Sequence, residues 1–200
     1  MRARGRARVA ALVAGLLVAP GAPPAAPAPA AAAWLALTPA QEEEAIRVGQ
    51  RSVIDERFGG EWRVVDGQGQ RVTVFTPFHR LALAARHAAF RNEPLAPRER
   101  ERVRAELRDR LLLWVELLGP REDFARHLRP RLRVGDREVE PVRVQNEHSA
   151  LRREDGRYLA RCAYWFPAAG LEGDARLVLQ VRDPDARLVA EFAIDLGAMR

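Results

Sequence analysis

Leu111-Leu112-Leu113-Trp114-Val115-Glu116-Leu117-Leu118 carries seven apolar side chains in eight positions. Two readings fit it. It can prolong the charged segment before it, where Val103, Leu107 and Leu111 recur every fourth residue. It can also be a buried strand, and periodicity does not separate the two over so short a run. The chain beyond it decides for a strand, because almost everything that follows is strand-like.

Residues 128–134 read as a strand closed by Gly135-Asp136. Residues 139–144 read as the next, and Pro141 makes it an edge or bulged strand because proline gives the ladder no N–H. A polar loop covers 145–156, a strand 158–166, a loop 167–174 and an alternating strand 177–181. Asp183-Pro184-Asp185-Ala186 is a tight turn. Leu188, Ala190, Phe192, Ile194 and Leu196 then fall on one face of a strand. Six strands at this spacing predict a mostly β, α+β fold: an immunoglobulin-like β-sandwich preceded by two or three helices. The disulfide that marks antibody domains has no counterpart, since Cys162 stands alone.

Upstream, Thr38-Pro39-Ala40-Gln41 has the residues of a helix start with a capping box. Ala45, Ile46, Gly49 and Val53 share one face of that helix, Glu42, Glu43 and Glu44 suit its positive end, and Gly59-Gly60 is its expected stop. Residues 62–65 and 72–75 form a hairpin. Thr76-Pro77 opens a second helix with the stripe Phe78, Leu81, Ala82, Ala85, Ala88 and Ala89, stopped by Asn92-Glu93-Pro94. Pro97 opens a third, highly charged segment reaching about Asp109. Residues 34–109 are thus a helical part with a short hairpin and 110–200 the β-sandwich, expected to pack as one compact domain.

The first 33 residues read as a signal peptide. Arg2, Arg4, Arg6 and Arg8 make a positive n-region, and 9–19 is an uncharged run. Eleven residues suit a signal h-region and fall short of the ~20 that span a bilayer. Pro20 ends the run, and an Ala/Pro tract supplies small-x-small cleavage patterns such as Ala31-Ala32-Ala33. The mature protein is expected to be soluble, periplasmic or extracellular, with no transmembrane helix. Signal removal also changes the charge. All 33 basic residues are arginine; losing four leaves 29 against 27 acids, near neutral rather than the +6 of the whole chain. That balance argues against a nucleic-acid partner, which wants clustered basic residues on one face.

Catalytic chemistry finds little to stand on. Ser52 and Ser149 are the two serines, and neither sits in a Gly-x-Ser-x-Gly elbow. His79 and His87 are eight residues apart on one helix, about 12 Å at the helical rise. They cannot share a metal, and no metal or cofactor is expected. Asp183 and Asp185 belong to a turn. Cys162 lies in an apolar strand, with Arg161 on its opposite face, and reads as a buried thiol. Trp114 and Trp165 are expected to fill the core or its edge.

Two places are candidates for ligand or partner contact. His79, Arg80, Arg86 and His87 are assigned to the wetter side of the second helix, where they would meet an anionic ligand or an acidic partner. Asn146 and His148 lie in the polar loop. The expected function is a non-catalytic extracytoplasmic module for protein interaction or envelope support. The alternative is a binding protein holding a small or anionic ligand between the helices and the sheet.

Overall fold

The computed structural model describes residues 35–107 and 109–200; the expected signal peptide lies outside them. The deciding stretch is a strand, β3 (Arg110–Gly119). Its two faces differ, as the two-residue repeat of a strand requires. Leu111, Leu113, Val115 and Leu117 are fully buried, while Leu112, Trp114, Glu116 and Leu118 are half-buried on the other side.

The remaining strands are β1 (Arg63–Val65), β2 (Arg71–Phe75), β4 (Arg129–Val134), β5 (Arg137–Val139), β6 (Arg143–Gln145), β7 (Leu151–Arg152), β8 (Tyr158–Pro167), β9 (Arg176–Arg182) and β10 (Leu188–Asp195). They form two antiparallel sheets. The larger runs β1-β2-β3-β8-β6, with β7 also on β8; the smaller runs β10-β9-β4-β5. The inner faces of both sheets meet in one apolar cluster that includes Val74, Leu113, Tyr164 and Phe166 from the larger and Leu132, Leu179 and Phe192 from the smaller. Each such side chain removed from water contributes roughly 1.5–3 kcal/mol before entropy is charged against it.

The ten strands among the described residues exceed the expected number for a physical reason. The segment 139–144 is not one strand. Val139 ends β5 in the smaller sheet and Arg143 begins β6 in the larger. Pro141 sits at the crossing, where no ladder donor is needed, and the N–H of Val142 donates to Trp165 O at 2.8 Å. The expected loop 145–156 also contributes the two residues of β7. In β10 the alternation holds from Ala190 onward, but a register shift between Leu188 and Ala190 turns Leu188 outward, 51% exposed.

Among the described residues three α-helices precede β3: α1 (Pro39–Arg51), α2 (Pro77–Phe90) and α3 (Pro97–Glu106). The Thr38–Gln41 capping box is formed, and Thr76 accepts from the N–H of His79 at 3.1 Å. Helix α1 stops well before Gly59, so Val53 lies beyond it. Ser52 Oγ donates to Gly49 O at 2.9 Å, a local bond that competes with the helical ladder. Gly49 seats α1 on α2: an added Cβ would overlap the carbonyl oxygen of Ala82 and lie 2.9 Å from the Ala85 methyl. These helices, with Trp62, build a second apolar cluster. Among the described residues no helix is long and apolar enough to cross a membrane.

Gln70 ties the parts together. Buried at the end of the β1–β2 turn, it donates to Asp66 and to Val189 O on β10, and accepts from Leu118 N on β3. The helical half joins the sheets through pairing of β2 with β3, through this amide, and through Arg200 after β10, whose main-chain oxygen accepts from Trp62 and Thr76.

Candidate functional site

The outer face of the larger sheet carries the side chains that β2, β3, β8 and β6 turn away from the core. Strand register sets them in rows. Phe75, Leu112, Trp165 and Arg143 stand side by side across four strands; Thr73, Trp114, Ala163 and Gln145 form the next row. A third row, Arg71, Glu116 and Arg161, is ionic: Arg71 pairs with Glu116, and Arg161 Nε lies 3.9 Å from the same carboxylate.

Helices α2 and α3 overhang the first two rows and make a groove of about 700 Å³. Its floor is Phe75, Leu112, Trp114 and Trp165; Arg80, Arg110 and Arg143 stand around it with Glu106 and Asp109. The three arginines differ. Arg80 pairs with Glu106 and places its guanidinium carbon 5.4 Å from the Phe75 ring centroid. Arg143 lies over Trp165 at 4.6 Å. Among the described residues, Arg110 and Arg143 have no carboxylate within ion-pair distance. An aromatic floor beside two cations without an ion-pair partner is an arrangement that can bind a flat anion through stacking and charge.

Of the four helix residues assigned to a wet face, only Arg80 reaches this groove. His79 is a correction: it is 4% exposed. Its ring lies between Trp62 and Phe75, at centroid distances of 4.2 and 4.9 Å, and Nδ1 is 3.1 Å from Val74 O. Burial drives its pKa down to about 4, against the opposing pull of the Val74 hydrogen bond. Arg86 is spent on structure. It donates to Val53 O and Asp55 O at 3.3 and 3.1 Å and covers Phe58. His87 is exposed beside Arg91 and Glu93, away from the groove.

The loop candidates separate too. Asn146 is a cross-link: Nδ2 donates to Leu128 O at 2.9 Å, and Oδ1 accepts from the buried Tyr164 hydroxyl at 3.1 Å. His148 is exposed, and its carbonyl accepts from Arg126. Trp114 and Trp165 are the second correction. They sit outside the core, and with Arg110 and Arg143 they are the functional candidates that sequence reasoning passed over. The signal was parity, since Trp114 is one residue out of step with the buried Leu113 and Val115.

Elsewhere the chemistry is closed. Cys162 is buried in the core and burial raises its thiol pKa. Among the described residues no group of three His, Cys, Asp or Glu side chains could hold a metal ion. A pocket of about 690 Å³ lies between the starts of α1 and α2. Its charged residues are already paired, Glu44 with Arg47 and Arg200 with Glu61, and the main-chain oxygen of Arg200 accepts from Trp62 Nε1 and Thr76 Oγ1 at 2.7 and 2.6 Å.

No family model and no curated protein matches the chain. Among solved structures, it is similar to a crystal structure of a novel protein of unknown function from Burkholderia pseudomallei. The two share 16% identity over 82% of this chain and 96% of that one, with a TM-score of 0.42.

Proposed function

We propose that this protein is an exported, non-catalytic binding module that holds a small anionic ligand with a flat face between its helices and its larger sheet. The observation that carries this reading is the groove in which Trp114 and Trp165 lie beside Arg110 and Arg143. Export rests on the arginine-rich n-region and the short apolar run after it. A ligand that binds only the folded state raises the melting temperature. A thermal-shift screen of sugar acids, aromatic carboxylates and nucleotides should therefore find a stabilising anion. Its effect should vanish in Trp165→Ala and persist in Arg86→Ala. A screen in which no anion stabilises, or in which Trp165→Ala responds as the wild type does, would sink the reading.

Residues 110–200 also support an immunoglobulin-like reading. Taking β3, β4, β5, β6 with β7, β8, β9 and β10 as the successive strands, β3-β8-β6 faces β5-β4-β9-β10. That order corresponds to strands B-E-D opposite C′-C-F-G, with the β1–β2 hairpin extending the first sheet where strand A would lie.

A second reading, contact with a protein partner, is favoured by one edge. Strands β6 and β7 both flank β8 at the end of the larger sheet, and Val142, Val144 and Leu151 are exposed there. An exposed edge can accept an added strand. Cross-linking in the native envelope, with Val144→Lys as control, tests it: loss of a cross-linked partner in the variant is the expected result.

A further inference from the structure

We propose that the groove's ligand is a carboxylated sugar chain, an oligouronate, rather than a phosphate-bearing molecule; this rests on the groove being the binding site. Four features of the groove favour that class.

The first is the pair of indoles. Trp114 and Trp165 are diagonal neighbours on β3 and β8, because Trp114 is opposite Ala163 and Trp165 is opposite Leu112. Trp114 and Trp165, the latter with Arg143 on one face of its ring, put two apolar surfaces side by side in the groove, which suits consecutive sugar rings laid against them. The row from Phe75 to Arg143 crosses three strand spacings, roughly 14 Å, longer than a single ring.

The second is the form of the positive charge. Arg143 lies on the Trp165 ring, which leaves the edge of its guanidinium to engage a carboxylate in the bidentate manner that arginine favours. Arg110 stands ready for a second carboxylate farther along the chain.

The third is negative. Glu106 and Asp109 line the same groove, and so do the last residues of α3. A helix C-terminus carries partial negative charge. This wall, in which Glu106 is already paired with Arg80, disfavours a phosphate dianion but accepts hydrogen bonds from sugar hydroxyls. A uronate, with one carboxylate among several hydroxyls per ring, meets both walls.

The fourth is the absence of a phosphate cradle. Phosphate sites are commonly built from main-chain N–H groups at glycine-rich turns or helix N-termini. The groove lining contains no glycine, and the end of α3 that it meets is a C-terminus.

Calorimetric titration of the mature chain with trigalacturonate, its methyl ester, inorganic phosphate and AMP tests the assignment. Trigalacturonate is expected to bind. The neutral ester and the Arg143→Gln variant should each weaken binding about tenfold, as loss of a charge-assisted contact does, and Trp165→Ala should abolish it. Equal affinity for acid and ester, or no heat with trigalacturonate, overturns the proposal. AMP or phosphate binding in a Trp165-dependent manner would overturn it while leaving the groove as the site. Trigalacturonate binding that ignores both variants would overturn the groove itself.

Discussion

His79 lies flat against Trp62, ring centroids 4.2 Å apart and planes 4° from parallel, and Phe75 closes the other face. A histidine so enclosed is held neutral. Desolvation outweighs the hydrogen bond to Val74 O, with Arg80 and Arg63 pressing in the same direction as burial and Glu61 against it. The folded pKa, about 4, is below the ordinary 6.5. Between those values the unfolded chain binds a proton that the folded one refuses, so stability falls as pH falls. The contribution is about 3 kcal/mol between pH 7 and pH 4. Urea melts of wild type and His79→Phe across that range check it. The stability of the wild type relative to the variant should decline by this amount, and parallel profiles would show that His79 does not titrate as described.

Gly49 is required by contact rather than by conformation. Alanine is the better helix former by up to ~1 kcal/mol, yet Gly49→Ala should destabilise by about 1–3 kcal/mol because its methyl would meet the Ala82 carbonyl and force α1 off α2. Gly67→Ala, in the open β1–β2 turn with nothing within 4 Å, should be near neutral. Denaturant midpoints of the two variants decide the matter; equal effects would contradict the close helix contact.

Asn146 closes one end of the core through Tyr164 and Leu128. Asn146→Ala removes the amide bonded to the buried Tyr164 hydroxyl and to Leu128 O and should cost about 1–3 kcal/mol. A structural cross-link and a ligand contact differ in their second readout. The melting temperature should fall while the ligand-induced shift keeps its size. If the shift disappears at unchanged stability, Asn146 belongs to a binding site.

Much of the fold was legible because local rules and burial agree. Thr38 and Thr76 cap where the sequence places them, and β3, β8 and β9 alternate with the core on one side. What was not legible depends on partners distant in sequence. Pro141 looks like a flaw in one strand until β5 and β6 are seen to lie in different sheets. His79 looks wet on a helical wheel because nothing local reveals that Trp62 and Phe75 will enclose it. The groove was hidden for a similar reason. Trp114 and Trp165 are 51 residues apart, and only the β3–β8 register makes them neighbours. Arg143 joins them only because β6 crosses to the larger sheet.

The indole N–H signals of the tryptophans provide the most direct test of the groove. Trp62 reports on the helical cluster, its indole bonded to the main-chain oxygen of Arg200, whereas Trp114 and Trp165 report on the groove. Trigalacturonate, AMP and an aromatic carboxylate would each be titrated into nitrogen-labelled protein. At least one should shift the Trp114 and Trp165 resonances together and leave Trp62 in place. Shifts confined to Trp62, or groove indoles that answer to none of the three, would contradict the placement of the binding site on the outer face of the larger sheet.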